Sequence, residues 1–207
     1  MYLLKANLRF EPFSQSESKP LLNDGDLDPE QNFYNDYSLE DSVYTTAIDL
    51  KTSYSSDSDL SILHINCRSL NKNFDSILQL IAQFKFTIPI IAVTETWTTK
   101  LTEADFPISG YKFIAKSREN KSGGGVGLYV LETISFKERC DLHVDASNVF
   151  ESIFIELLNV PNKTVIGCVY KPPDSDVYAF NMLIDTALSV INSQKCMCTI
   201  AGDINID

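Results

Sequence analysis

The apolar positions of this chain fall into two regimes. Through residue 59, Leu, Ile, Phe and Tyr are scattered among Ser, Asp and Asn and hold neither a 3.6- nor a 2-residue period for long. Such a stretch cannot bury enough surface to offset the entropy of ordering, so residues 1–59 are expected to be a disordered tail. From residue 60 the pattern becomes regular. Residues 60–66 read as a short apolar strand with a polar end. Ile77, Leu78, Leu80, Ile81 and Phe84 recur at helical spacing and predict an amphipathic helix over 72–86, stopped ahead of Pro89. Residues 88–94 form a second buried strand that delivers Glu95 at its C-terminal end. Strand, helix, strand at this length is a parallel crossover unit.

Five β-rich segments follow, at 111–115, 126–131, 134–137, 152–158 and 164–170, separated by loops rich in Gly, Pro and Asn. Pro172 and Pro173 stop the last of them. Phe180, Leu183, Ile184, Ala187, Leu188 and Ile191 share one face and place a second helix over 177–193. A closing strand over 196–201 presents Gly202-Asp203-Ile204-Asn205. Strand-rich layers with flanking helices predict an α/β class, a two-layer β-sandwich over 60–207. No repeat of solenoid length is present.

Charge refines this division. Residues 1–59 hold four basic residues against twelve acidic ones, whereas 60–207 hold thirteen against sixteen. The acidity therefore sits in the tail, whose alternative reading is an interaction or phosphorylation segment. The folded part is near neutral, which leaves binding to phosphate backbones open. The five cysteines are odd in number and irregularly spaced, as expected of reduced core thiols in an intracellular protein. Cys196-Met197-Cys198 is spaced too tightly for an ordinary zinc pair and has no two further ligands in view. The N-terminus is poor in apolar residues for a signal peptide, and no run approaches the roughly 18 needed to span a bilayer. The expectation is a soluble protein of the nucleus or cytoplasm, not secreted and not membrane-bound.

Polar residues recur at the ends of apolar strands: Asn66, Glu95, Tyr170, then Asp203 and Asn205. A buried strand that ends in a carboxylate or amide places that group at one edge of its sheet, where several strands can converge on one pocket. Hard cations such as Mg²⁺ take carboxylate and carbonyl oxygens and keep waters that a phosphate can replace. Singly, Glu95 also reads as a solvated loop carboxylate, Asn66 as a turn residue and Tyr170 as a core aromatic. Asp203 and Asn205 alternate along a strand, which aims both to one side. His64 reads as a packed strand histidine.

In order, Asn66-Cys67-Arg68-Ser69-Leu70-Asn71, Thr94-Glu95-Thr96-Trp97, Gly123-Gly124-Gly125-Val126-Gly127, Val169-Tyr170-Lys171-Pro172-Pro173 and Gly202-Asp203-Ile204-Asn205 resemble the successive motifs of the endonuclease/exonuclease/phosphatase superfamily. More narrowly they resemble the endonuclease domain that precedes the reverse transcriptase in non-LTR (LINE-type) retrotransposons. The resemblance covers about 60–207. It implies a deoxyribonuclease I-like fold and Mg²⁺- or Mn²⁺-dependent hydrolysis of phosphodiesters in DNA. By the same resemblance Glu95 is the principal metal ligand, and Asn66 lies near the metal and the scissile phosphate. Tyr170 hydrogen-bonds the phosphate region, Asp203 positions the attacking water and Asn205 orients phosphate oxygens. Lys116, Arg118 and Lys121, with Lys112, precede the Gly run and are candidates for backbone phosphate contacts, against the alternative of a solvated hairpin edge. Arg68 in the first motif joins them.

The chain departs from that pattern at Ile204, where the family commonly has Phe. It also carries no counterpart of the family's later Asp and His, so the domain is expected to be incomplete at its C-terminus. Three further expectations follow: weak or absent catalysis, a marginal fold, and self-association through an uncovered sheet. The alternatives are a non-catalytic retroelement remnant that binds DNA or protein, and a phosphoesterase of the same superfamily acting on a small phosphoester.

Overall fold

The computed structural model describes residues 60–84, 86–99, 105–118, 123–143, 146 and 148–205. The acidic tail over 1–59 and Lys121 lie outside them. In chain order the elements are β1 (Ile62–Asn66), α1 (Leu70–Ile81), β2 (Ile90–Thr94), β3 (Tyr111–Lys116), β4 (Val126–Leu131), β5 (Phe136–Glu138), a 3-10 turn (Cys140–Leu142), β6 (Glu151–Leu157), β7 (Thr164–Lys171), α2 (Val177–Ser193) and β8 (Met197–Ile204). They build two four-stranded sheets, ordered β1-β2-β4-β3 and β5-β6-β7-β8. The predicted crossover is present: β1 and β2 pair in parallel on either side of α1. The second sheet is an antiparallel meander closed by a second parallel crossover, from β7 through α2 to β8.

Three apolar layers hold this together. Ile90, Ala92, Leu128 and Val130 of the first sheet meet Ile153, Ile155, Ile166 and Cys168 of the second, and form the core between the sheets. On the outer face of the first sheet, Leu70, Ile77 and Leu80 of α1 cover Leu63, Ile65, Ile91 and Val93. On the outer face of the second, Phe180, Ala187 and Ile191 of α2 cover Phe154, Val165 and Val169. The central strands are thus buried on both faces. That is why 90–94 reads as one continuous apolar run and not as an alternation.

Several boundaries differ from the sequence expectation, each for a local reason. Helix α1 starts two residues early because Leu70 is fully buried and its N–H is satisfied by the carbonyl of Thr96 at 2.9 Å. It ends at Ile81, where Gln83 and Phe84 donate to carbonyls three residues back and tighten the turn. Phe84 then folds against Phe86, edge to face, on the same core as the helix. Helix α2 opens on Asp176, whose side chain accepts from the N–H groups of Tyr178 and Ala179. Strand β6 begins one residue early, at Glu151, and β8 runs on to Ile204 and so includes Asp203. Among the described residues no helix is long and apolar enough to cross a membrane.

Candidate functional site

The strand register brings two rows of side chains to the same end of the sandwich. In the first sheet Asn66 pairs with Thr94, Thr94 with Val126, and Val126 with Lys116. In the second, Glu151 pairs with Tyr170 and Tyr170 with Asp203. Side chains two residues apart share a face. Ala92, Leu128 and Ile114 lie two residues from the first row, and Ile153, Cys168 and Ala201 two residues from the second. All six pack between the sheets. The two rows therefore continue the inter-sheet core at its end, with polar groups in place of apolar ones at every position but Val126.

Asn66 joins the rows. Its amide Nδ2 donates to Glu95 Oε1 at 2.8 Å and to Asp203 Oδ2 at 2.6 Å, across separations of 29 and 137 residues. The two carboxylates consequently sit no more than two hydrogen-bond lengths apart. Both are half-buried.

The backbone around them is held in uncommon conformations. Arg68, Ser69, Glu95 and Trp97 have positive φ without being glycine, each at a cost of about 1–3 kcal/mol that the surroundings must offset. The surroundings are a zipper of main-chain bonds: Cys67 N–H to Thr94, Ser69 to Glu95, Leu70 to Thr96, Thr96 to Gly125 and Trp97 to Gly124. The Gly run makes the last two possible. Gly125 has φ of +91° and a Cβ there would collide with Thr96 Oγ1, so only glycine lets this loop lie against the segment that carries Glu95.

The electrostatics sort the neighbouring groups by role. His64 Nε2 lies 3.1 Å from Thr94 Oγ1. Burial lowers the His64 pKa to about 4 and outweighs the opposing pull of Asp203, so it is a neutral packed imidazole, as the sequence reading expects. The Tyr170 phenol is pushed up to about 12 by burial first, then by the negative charges of Glu95 and Glu151, and it stays a proton donor. His143 follows the 3-10 turn, and its charged neighbours are Lys116, Glu138 and Asp141 rather than the paired carboxylates. All five cysteines are free thiols, with Cys67 and Cys168 in the core.

The candidate phosphate contacts divide. Arg68 is exposed in the turn that follows Asn66, and its N–H donates to Asn66 Oδ1 at 3.2 Å. Lys116 stands half-buried at the end of the first row. Lys112 is exposed but pairs with Val130, further down β3 from that end. Arg118 is not a free edge residue: its guanidinium forms an ion pair with Glu151, which also accepts from the Gly125 N–H at 2.5 Å. Asn205 stands just past the end of β8, and its amide nitrogen donates to the Lys171 carbonyl at 2.8 Å.

Sequence reasoning missed Glu151. The rule that singled out the other positions looks for polar groups at the C-terminal ends of apolar strands. β6 runs antiparallel to β7, so the residue it contributes to this end is its first. The available signal was an acidic residue opening a strand that is otherwise buried throughout. Burial pushes the Glu151 carboxyl up, opposed by the Gly125 N–H, Arg118 and Lys116.

Whether these groups suit a divalent cation follows from the donor set. Among the described residues no three His, Cys, Asp or Glu side chains gather as a ligand cluster. What converges is two carboxylates and an amide, with one N–H₂ group between two like charges. A hard cation that keeps several waters and takes one or two carboxylates fits that set. The Asn66 amide can exchange its ends to present oxygen in place of nitrogen.

The sequence matches no protein-family model and no curated protein. The fold does have counterparts among solved structures. It is similar to the AP endonuclease LMAP from Leishmania major, with a TM-score of 0.58 and 15% identity over 78% of this chain and 59% of that one. It is similar to TDP2 from C. elegans, with a TM-score of 0.51 and 14% identity over 72% and 48%. It is also similar to the endonuclease domain of TRAS1, a telomere-specific non-LTR retrotransposon, with a TM-score of 0.50 and 11% identity over 70% and 60%. At such identities the likeness is one of fold, and the fold is the deoxyribonuclease I-like α/β sandwich that the motifs imply. The chain spans about three-fifths of the LMAP and TRAS1 structures.

Proposed function

We propose that Asn66, Glu95, Tyr170 and Asp203 form a Mg²⁺ or Mn²⁺ site for hydrolysis of a phosphodiester in DNA, in a domain of the kind found in retroelement proteins that also carry a reverse transcriptase. One observation carries this reading: a single amide nitrogen bonded to two carboxylates that come from different sheets. Two half-buried like charges held this close repel each other, a cost that a bound cation would offset. Glu95, Asp203 and Asn66 would hold the cation, which when bound supplies positive charge where a phosphate oxygen gains negative charge. Asp203 also accepts a hydrogen bond from a water lined up on phosphorus. Tyr170, kept protonated, donates to a phosphate oxygen, and Asn205 steadies that region from the edge of β8. Arg68 and Lys116 flank the site as contacts for the phosphates of the strand. The retroelement reading draws on the wording of the motifs and on the likeness to the TRAS1 domain. A protein with this activity would act where DNA is reached, in the nucleus or from the cytoplasm.

The test is nicking of supercoiled plasmid by the purified chain with Mg²⁺ and with chelator. The expected result is nicking that needs Mg²⁺ and disappears in Glu95→Ala and Asp203→Ala. Nicking that survives both substitutions refutes the assignment.

A second reading, binding of DNA with little or no turnover, is favoured by one feature of the site. Among the described residues the histidine nearest the carboxylates, His64, is buried, neutral and bonded to Thr94, so it is not available to hand a proton to a leaving group. General acid–base groups contribute typically 10²–10⁴ in rate, and a site with no imidazole to share that work with Tyr170 turns over more slowly. Retention of a short duplex in a mobility-shift assay, with no nicking in Mg²⁺ or Mn²⁺, separates this reading from the first.

A further inference from the structure

Lys171 lies beside the site in sequence, yet the proposed chemistry does not use its side chain. It is 1% exposed. Alternation along β7 turns it to the face opposite Tyr170, away from the paired carboxylates. Burying an ammonium is costly unless its protons are matched. Here they are matched by main-chain carbonyls: Asn205 at 2.8 Å, Pro172 at 3.2 Å and Pro173 at 3.4 Å. Three acceptors saturate the three donors of a lysine.

The arrangement is reciprocal. The Lys171 ammonium donates to the Asn205 carbonyl, and the Asn205 side-chain amide donates to the Lys171 carbonyl. The two bonds close over the Lys171–Ile204 pair, the rung directly after the one that holds Tyr170 and Asp203. The same ammonium also gathers the turn between β7 and α2. Its acceptor Pro172 takes two further bonds from Ser175, one from the N–H and one from the hydroxyl. One side chain thus bonds to the residue after β8 and to the first residues of the loop between β7 and α2. β8 is an edge strand with a neighbour on one side only among the described residues, so no ladder bonds hold its last residues from the other side. Close approach of the two strands is already demanded at Gly202, where a Cβ would run into the Val169 carbonyl.

We propose that Lys171 is a positioning residue for this site: its ammonium clamps the ends of β7 and β8 and so sets the place of Asp203 against Glu95 and Asn66. This rests on the cation-site reading above. It explains why a lysine, rather than an apolar residue of similar length, occupies a position with no carboxylate among its described partners. Methionine would fill the space and leave the Asn205 and Pro173 carbonyls without this donor, while Pro172 would keep its two bonds from Ser175.

The test compares the full chain with Lys171→Met, Lys171→Arg and Asn205→Ala by two measurements. The first is amide hydrogen exchange without metal. In Lys171→Met, exchange is expected to quicken at Ser175 and residues 203–205 while β1, β2 and β4 keep their protection. The second is Mn²⁺ affinity. It is expected to fall about 10- to 100-fold in Lys171→Met, as when outer partners of a metal site are removed, and to recover at least in part in Lys171→Arg. Adding Asn205→Ala to Lys171→Met is expected to cost little more, since both break the same clamp. Unchanged exchange at 203–205, or unchanged Mn²⁺ affinity in Lys171→Met with the wild type binding normally, overturns the positioning role. Exchange quickened uniformly across both sheets overturns it too, and shows a merely structural lysine. Absence of Mn²⁺ binding in the wild-type chain removes the site reading itself and the positioning role with it.

Discussion

Replacing Asn66 by alanine removes the amide that donates to both Glu95 and Asp203. Both lost bonds are donated by a neutral amide to a carboxylate, at 2.8 and 2.6 Å. Hydrogen bonds to charged groups contribute about 1.5–3 kcal/mol each, and these are half-buried, so the lower end applies. Together they predict a loss of about 3 kcal/mol in the metal-free protein, a large share of the 5–15 kcal/mol typical of a domain. Asn71→Ala is the control: the same chemical change at an exposed position on α1, where an effect within about 0.5 kcal/mol is expected. Urea denaturation followed by circular dichroism, with chelator present, gives both values. The coupling is checked by repeating Asn66→Ala in a Glu95→Gln background, where the loss shrinks because one charge-assisted bond is already gone. A loss in Asn66→Ala that matches Asn71→Ala, or a loss unaffected by Glu95→Gln, refutes the view that this amide holds the two carboxylates together.

Three further outcomes are expected. Gly125→Ala forces a non-glycine residue to φ of +91° and against Thr96; the left-handed backbone alone costs about 1–2 kcal/mol, so the unfolding free energy falls by at least that much and the urea midpoint falls with it, whereas an unchanged midpoint contradicts the close approach. His64 has a folded-state pKa of about 4 against an ordinary 6.5, so below pH 6.5 the unfolded chain takes up a proton that the folded one refuses. Metal-free stability is therefore fully present above pH 6.5 and falls by about 3 kcal/mol as the pH drops to 4; Asn or Gln at this position flattens that limb, and an equally steep limb without His64 contradicts it. Strand β8 leaves one edge unpaired among the described residues and exposes Met197 near its start, so the chain self-associates in sedimentation runs at rising concentration and Met197→Lys weakens this several-fold; a monomer at every concentration removes the expectation.

Much of this architecture was legible in the sequence because each buried element carries a pattern of its own. The β1–α1–β2 crossover followed from the helical spacing of Ile77, Leu80 and Ile81 between two short apolar runs, and α2 from the face that ends in Ala187 and Ile191. The paired carboxylates were legible for a similar reason: Glu95 and Asp203 follow or close strands that are otherwise apolar. What stayed hidden depends on strand pairing. Glu151 reaches the site only because β6 runs against β7, and Arg118 reads as an edge cation until the fold brings Glu151 to it. Lys171 gives no local sign of burial, because the carbonyls that accept its protons belong to a Pro-Pro turn and to a residue 34 positions away. The limits of α1 were missed because tertiary bonds from Thr96 start it and a tightened turn ends it, and neither has a composition signal.

The central claim is that Asn66, Glu95 and Asp203 share one divalent cation. Titration of the purified chain with Mn²⁺, followed by electron paramagnetic resonance of the free ion, tests it without relying on turnover. The account predicts one ion bound per chain, with affinity lowered about tenfold or more in Glu95→Gln and in Asp203→Asn. Binding that neither substitution weakens would contradict it.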